Sequence, residues 1–113
     1  MPAEYDKWEN NIHKTKNEVD DVISQWGGVA SRLRACLQPW YNYPCPVSEG
    51  VRIIRQAQLL LQKINELREN APRATKDKAN RMVYLMSLLD DCEAKLRRVI
   101  NEAYLVWNAQ RAV

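Results

Sequence analysis

The side chains that most often perform catalysis or bind metals are scarce and scattered in this chain of 113 residues. His13, next to Ile12, is the only histidine, and we predict neither a His-based triad nor a zinc cluster within one chain. Asp90, Asp91 and Glu93 bring three carboxylates close in sequence, but on a helix this spacing spreads them over different directions. We therefore predict no catalytic residues, no metal, no cofactor and no enzymatic activity.

Three cysteines, Cys36, Cys45 and Cys92, give an odd number without Cys-x-x-Cys spacing, which does not indicate a disulfide framework. Cys36 and Cys92 fall on apolar helical stripes and are predicted to be buried, inert thiols. Cys45 lies in a loop and is the thiol expected to react. The few cysteines and the charged N-terminus, without an apolar run long enough to span a membrane, predict an intracellular, cytoplasmic protein.

Residues 38–46 form the most unusual segment, because they hold three aromatic residues and three prolines. The rings are those of Trp40, Tyr41 and Tyr43. Such a composition predicts a stiff, apolar connection that admits two interpretations. The segment folds back as a lid on Trp107 and Leu105, or it forms an exposed patch that docks another protein, since Trp and Tyr concentrate interface energy. Tyr104, at the same end of the predicted bundle, belongs to the same candidate surface.

A cluster of basic residues surrounds the connection between the second and third predicted helices. Its members are Arg68, Arg73, Lys76, Lys78 and Arg81. Such a cluster is either a solvated helix tip or a contact for the phosphates of a nucleic acid or an anionic membrane. It contains no aromatic residue on which a base could stack, which favours the solvated tip.

Two long stretches, Tyr5–Cys36 and Met82–Val113, place an apolar residue at alternating steps of three and four. These steps average about 3.5 residues and keep one stripe of a helix against a partner helix. Only Thr15 and Gln110 interrupt the stripes with a polar side chain. The middle of the chain carries a wider apolar face, which requires two neighbouring helices.

Prolines divide the chain into three predicted helices, at about residues 3–37, 48–70 and 72–112. Short connections make neighbouring helices antiparallel, so we predict a single all-α domain over 1–113. Its fold would be an up-down-up three-helix bundle with long first and third helices. Gly27-Gly28 leaves an alternative open, because a break there would give four helices.

The outer predicted helices are longer than the middle one, so they overhang it and leave part of each stripe uncovered. Tyr5, Trp8 and Ile12 at one end, with Val106 and Val113 at the other, are therefore predicted to form a homodimer contact. Antiparallel helices with heptad spacing, and tryptophans in the first and last, resemble spectrin-type repeats and other three-helix adaptor modules. This resemblance implies an architecture and no functional residues.

These patterns together predict a non-enzymatic helical module for protein–protein interaction, such as an adaptor, scaffold or assembly module. It would bind a helical or peptide partner and associate with itself. The predicted partner-binding residues are Trp40, Tyr41, Tyr43, Tyr104, Trp107, Tyr5 and Trp8. The alternative is a module whose basic surface binds nucleic acid or an anionic membrane.

Overall fold

A computed structural model of the chain describes the backbone of residues 2–112 and the side chains of residues 4–109. This part of the chain forms three long α-helices, α1 (Pro2–Ala35), α2 (Val47–Glu69) and α3 (Ala79–Ala112). A short 3-10 turn, Lys76–Lys78, precedes α3. None of the described helices is both long and apolar enough to cross a lipid bilayer.

Contacts between α1 and α2 show that the two helices are antiparallel. Lys63 Nζ lies 3.4 Å from Glu18 Oε1, and Arg32, farther along α1, lies 2.7 Å from Glu49 near the start of α2. These two ion pairs join α1 to α2 within one chain.

The third helix runs parallel to the first, which confirms the predicted up-down-up topology. Glu9, early in α1, accepts a hydrogen bond of 3.0 Å from Arg81, early in α3. Arg34, at the other end of α1, pairs with Glu102. The three helices contact one another in every combination and form a rod of 61 × 19 × 17 Å.

The heptad stripes of α1 and α3 meet the wider apolar face of α2 in a continuous core. The buried stripe positions are Tyr5, Trp8, Ile12, Thr15, Val19, Val22, Trp26, Val29, Leu33, Leu85, Leu89, Cys92, Leu96, Val99, Ala103 and Val106. From α2, the buried side chains include Ile53, Ile54, Ala57, Leu60, Ile64 and Leu67. The stripe position Gln110 lies outside the described side chains. Burial on this scale is the main stabilising term of the bundle.

Helix α1 continues without a break through Gly27 and Gly28, so the four-helix alternative is wrong. Neither glycine has a positive φ, and both lie on the exposed face of the helix. On the opposite face Trp26 and Val29 are buried in the core. Packing of that face holds the helical conformation even though glycine has a low helix propensity.

Replacing both glycines by alanine is expected to raise the free energy of unfolding by about 1–2 kcal/mol, since alanine loses less backbone entropy in a helix. An added Cβ at Gly27 or Gly28 meets no atom within 4 Å, so the change introduces no clash. Urea unfolding followed by circular dichroism measures the gain. Gly50→Ala is the matched control, because its Cβ would lie 3.4 Å from Leu33 Cδ1 and has no such open space. A double variant no more stable than the natural chain would contradict the prediction.

Helix α3 begins at Ala79 and not at Pro72, so the predicted helix over 72–112 is wrong at its start. Proline suits the first turn of a helix when only local sequence is considered. Residues 71–75 instead form an irregular connection across the end of the rod. Pro72 and Arg73 line a cleft together with Tyr5. Lys78, just before α3, lies over the Tyr5 ring at 5.0 Å from its centroid.

Candidate interaction surface

The aromatic loop, residues 36–46, joins α1 to α2 at one end of the rod. Helical hydrogen bonding continues just past Ala35, because the Cys36 N–H donates to Arg32 O at 3.1 Å. A tight turn follows, in which the Tyr41 N–H donates to Gln38 O at 3.2 Å. Three prolines in the loop lack an N–H and cannot continue the helix. The chain reverses here and enters α2 at Val47.

A disulfide joins Cys36 to Cys45 across the aromatic loop. The predictions of Cys36 as a buried, inert thiol and of Cys45 as a free, reactive thiol are therefore wrong. The chain reversal brings the two Cα atoms to 6.0 Å, within the usual range for a disulfide. Cys92 is buried as predicted, and burial raises the pKa of its thiol.

The three rings of the loop pack edge to face against one another. The ring centroids of Trp40 and Tyr41 are 6.3 Å apart, and those of Tyr41 and Tyr43 are 5.6 Å apart. Trp40 is 69% exposed and Tyr43 is 74% exposed, while Tyr41 is half-buried. The interpretation of the loop as a lid packed on the core is therefore wrong for the two outer rings. The loop presents an ordered aromatic array to solvent.

Two further aromatic residues lie near the C-terminal end of α3, at the same end of the rod. Trp107 is half-buried beside Gly50, and its ring stands 5.9 Å from the half-exposed ring of Tyr104. No ring contact joins this pair to the loop array among the side chains that the structure describes. Trp107 thus helps to close the core, whereas Tyr104 faces outward beside it.

Exposed apolar side chains are concentrated at this end of the rod. Of the eight large hydrophobic side chains exposed in the described chain, five lie here. They are Trp40, Tyr43, Val47, Tyr104 and Leu105. The remaining three, Leu59, Val83 and Tyr84, lie on the sides of the rod or at its other end. Such a concentration is typical of interaction surfaces, whereas single exposed apolar residues are common everywhere.

At the opposite end, Trp8 is buried inside the same chain and is not available to a partner. It is 5% exposed, and its indole N–H donates to Leu67 O at 2.7 Å. The last four carbonyls of a helix have no partner within that helix. Trp8 therefore satisfies a carbonyl at the C-terminal end of α2 and closes this end of the core.

Tyr5 is likewise 5% exposed, so the prediction of an uncovered stripe at Tyr5–Ile12 is wrong. The ammonium group of Lys78 lies 5.0 Å from its ring centroid, and its hydroxyl donates to Glu9 Oε1 at 3.3 Å. Burial and the neighbouring Glu9 carboxylate raise the pKa of Tyr5. Val106 is also buried, while Val113 lies outside the described residues. Among the described residues of the predicted dimer contact, Tyr5, Trp8, Ile12 and Val106 are therefore covered within one chain.

The basic cluster is partly neutralised by carboxylates of the same chain. Arg68 Nη2 lies 2.6 Å from Asp90 Oδ1 and 2.5 Å from Glu93 Oε2. Arg81 donates to Glu9, and this hydrogen bond holds the pKa of the Glu9 carboxyl below its usual value. Two of the five basic residues are therefore paired with carboxylates of the same chain.

Asp90 and Glu93 converge on Arg68, although the sequence predicted that these carboxylates would diverge. Hydrogen bonds from Arg68 and then from Arg97 lower the pKa of Glu93. Their spacing of three residues, which places two side chains on one helical face, was the signal that sequence reasoning missed. The arrangement joins α2 to α3 and leaves Asp91 exposed.

The other described residues that could catalyse a reaction or bind a metal do not lie together in the structure. His13 is half-buried on α1, and no group of three or more His, Cys, Asp or Glu side chains within the described residues could hold a metal ion. A cleft of about 480 Å³ lies beside Tyr5, lined by charged residues of α1 and of the connection before α3. The aromatic loop remains the strongest candidate for function.

Comparison of the chain with models of protein families, with curated proteins and with solved structures finds no match.

Proposed function

We propose that the protein is a non-enzymatic helical module that docks a partner protein through its aromatic loop. The observation that carries this proposal is that five of the eight large hydrophobic side chains exposed between residues 4 and 109 lie at one end of the rod. Trp and Tyr are the residues that contribute most to binding energy in protein interfaces. The helices would then serve as the rigid support of this surface.

The loop has the physical properties of a pre-organised contact. Edge-to-face packing orders Trp40, Tyr41 and Tyr43 before any partner binds. The disulfide closes a ring around all three residues, with a sequence separation of 9 between its cysteines. Side chains already held in place lose little entropy on binding, so more of the contact energy is available for affinity.

The partner that suits this surface is a second kind of protein with apolar pockets for Trp40 and Tyr43. Both rings stand mostly in solvent at the tip of the rod, where a concave partner can enclose them. Self-association through the ends of the stripes no longer supports the proposal, because Tyr5, Trp8 and Val106 are buried within one chain. A dimer formed through two aromatic loops is an outcome that the test distinguishes.

Replacing both Trp40 and Tyr43 by alanine is expected to weaken partner binding about tenfold or more while the helical bundle stays folded. Immobilised natural chain and variant would be exposed to intracellular proteins, and the retained proteins quantified by mass spectrometry. Leu59→Ala is the matched control, because Leu59 is a large exposed side chain away from the loop. The proposal requires proteins retained equally by the natural chain and the Leu59 variant but lost by the double variant.

Two outcomes would overturn the docking proposal. One is equal retention of every protein by all three chains. The other is loss of cooperative thermal unfolding in the double variant, since this would make Trp40 and Tyr43 structural residues. Sedimentation of the purified natural chain distinguishes a different partner protein from a second copy of this chain. A dimer of the natural chain that is absent in the double variant would show that the aromatic loop binds a second copy.

Binding of nucleic acid or an anionic membrane has less support. Arg68 and Arg81 are engaged with carboxylates, and Lys78 lies over the Tyr5 ring. Phosphate binding through the remaining cluster would fall steeply with salt. An RNA titration at two ionic strengths separates this alternative from docking through the aromatic loop.

A further inference from the structure

The disulfide encloses the whole aromatic array in one covalent ring. Cys36 lies just beyond the end of α1, Cys45 lies two residues before α2, and the three rings lie between them. Within the described chain, no backbone N–H of residues 42–46 donates to another backbone group. Carbonyls at the end of this part accept from α2, since the Val47 N–H donates to Cys45 O at 2.8 Å, and the disulfide joins it to the end of α1.

The bond is accessible to thiol reagents from one side. Cys45 is an exposed residue and Cys36 is half-buried, so we expect a reductant to attack at Cys45. Cys92 is buried in the core, and burial raises its pKa. It therefore does not compete in thiol–disulfide exchange, for which an accessible thiolate is required.

We propose that the Cys36–Cys45 disulfide is a reversible latch that holds the aromatic loop in its ordered array and releases it on reduction. A dithiol attacks the Cys45 sulfur, and Cys36 leaves as a thiolate that takes up a proton. The second thiol of the reductant then displaces Cys45, so two protein thiols form and the dithiol becomes a disulfide. Two electrons pass from the reductant to the protein.

A reversible disulfide is compatible with both an oxidising and a reducing compartment. Lasting disulfides are typical of oxidising compartments, whereas the sequence predicts an intracellular protein. A latch would be closed in one setting and open in the other. Its effect on partner affinity rests on the proposed docking function: the closed loop is pre-organised and binds more tightly, and the open loop must be ordered at a cost.

Limited digestion with chymotrypsin tests the latch without any partner. Trp40 and Tyr41 are each followed by a residue other than proline, so both provide cleavage sites inside the ring. Cleavage in the loop is expected to become about tenfold faster after dithiothreitol treatment and alkylation, because local opening exposes the backbone. Circular dichroism should show unchanged helix content in both states. The Cys36→Ser/Cys45→Ser variant should be cleaved as fast as the reduced natural chain, with or without dithiothreitol.

Three results would overturn the latch. Equal cleavage of the oxidised and reduced natural chain would mean that other contacts hold the loop. Loss of helix content on reduction would make the disulfide a staple of the whole bundle. Two alkylatable loop thiols in protein purified under air would show that the bond does not form. None of these results depends on partner binding, so the latch and the docking function can fail separately.

Discussion

Replacing Trp8 by alanine is expected to lower the free energy of unfolding by about 3–5 kcal/mol. The change removes a large buried ring from the end of the core. It also removes the donor that satisfies Leu67 O at 2.7 Å and leaves that carbonyl of α2 without its partner. Small domains are stable by only about 5–15 kcal/mol, so this loss is a large part of the total. Urea unfolding followed by circular dichroism measures it.

Two control variants divide the effect of Trp8 into its parts. Trp8→Phe keeps an apolar ring but loses the hydrogen bond and part of the buried ring volume, which together should cost about 1–3 kcal/mol. Trp40→Ala makes the same substitution at a ring that is 69% exposed, and should cost less than about 0.5 kcal/mol. If Trp8→Ala were as stable as Trp40→Ala, the assignment of Trp8 to the core would be contradicted and its role in partner binding would return.

Removal of the disulfide in the Cys36→Ser/Cys45→Ser variant is expected to lower the free energy of unfolding by up to about 3 kcal/mol. The cross-link restricts the unfolded chain over a sequence separation of 9, and that restriction disappears in the variant. The free energy of unfolding falls by this full amount only when the loop without its cross-link stays ordered in the folded state. A loop that becomes mobile without the cross-link gains entropy in the folded state too, so the latch predicts a smaller decrease.

The comparison needs oxidised and reduced forms of the natural chain beside the serine variant. Reduced natural chain and variant should unfold at the same urea concentration, and oxidised chain at a higher one. The variant itself should be insensitive to dithiothreitol, because its remaining Cys92 is buried and free. Identical stability of the oxidised chain and the variant would show that the cross-link makes no net contribution.

The core of this fold could be predicted from sequence because it depends on a repeating pattern. An apolar residue at every third or fourth position places its side chain on one face wherever the helix lies. Val19, Leu33, Leu89 and Leu96 are buried as that pattern requires. Even Thr15, which interrupts the stripe, is fully buried, although its hydroxyl has no hydrogen-bond partner among the described residues.

The candidate site was only partly predictable, because its details depend on contacts between distant segments. The composition of the loop marked Trp40, Tyr41 and Tyr43, but composition alone left both a lid and an exposed surface open. The pairing of Cys36 with Cys45 depends on where α1 ends and how the prolines reverse the chain. Likewise, the burial of Tyr5 depends on the connection before α3, which local helix signals had placed inside the helix.

The parallel arrangement of the first and last helices has a mechanical consequence. Three alternating helices leave residue 2 and residue 112 at opposite ends of a rod 61 Å long. A bundle with an even number of helices would return the chain to its starting end. A partner docked on the aromatic loop, as proposed, would therefore lie about the length of the rod away from Tyr5.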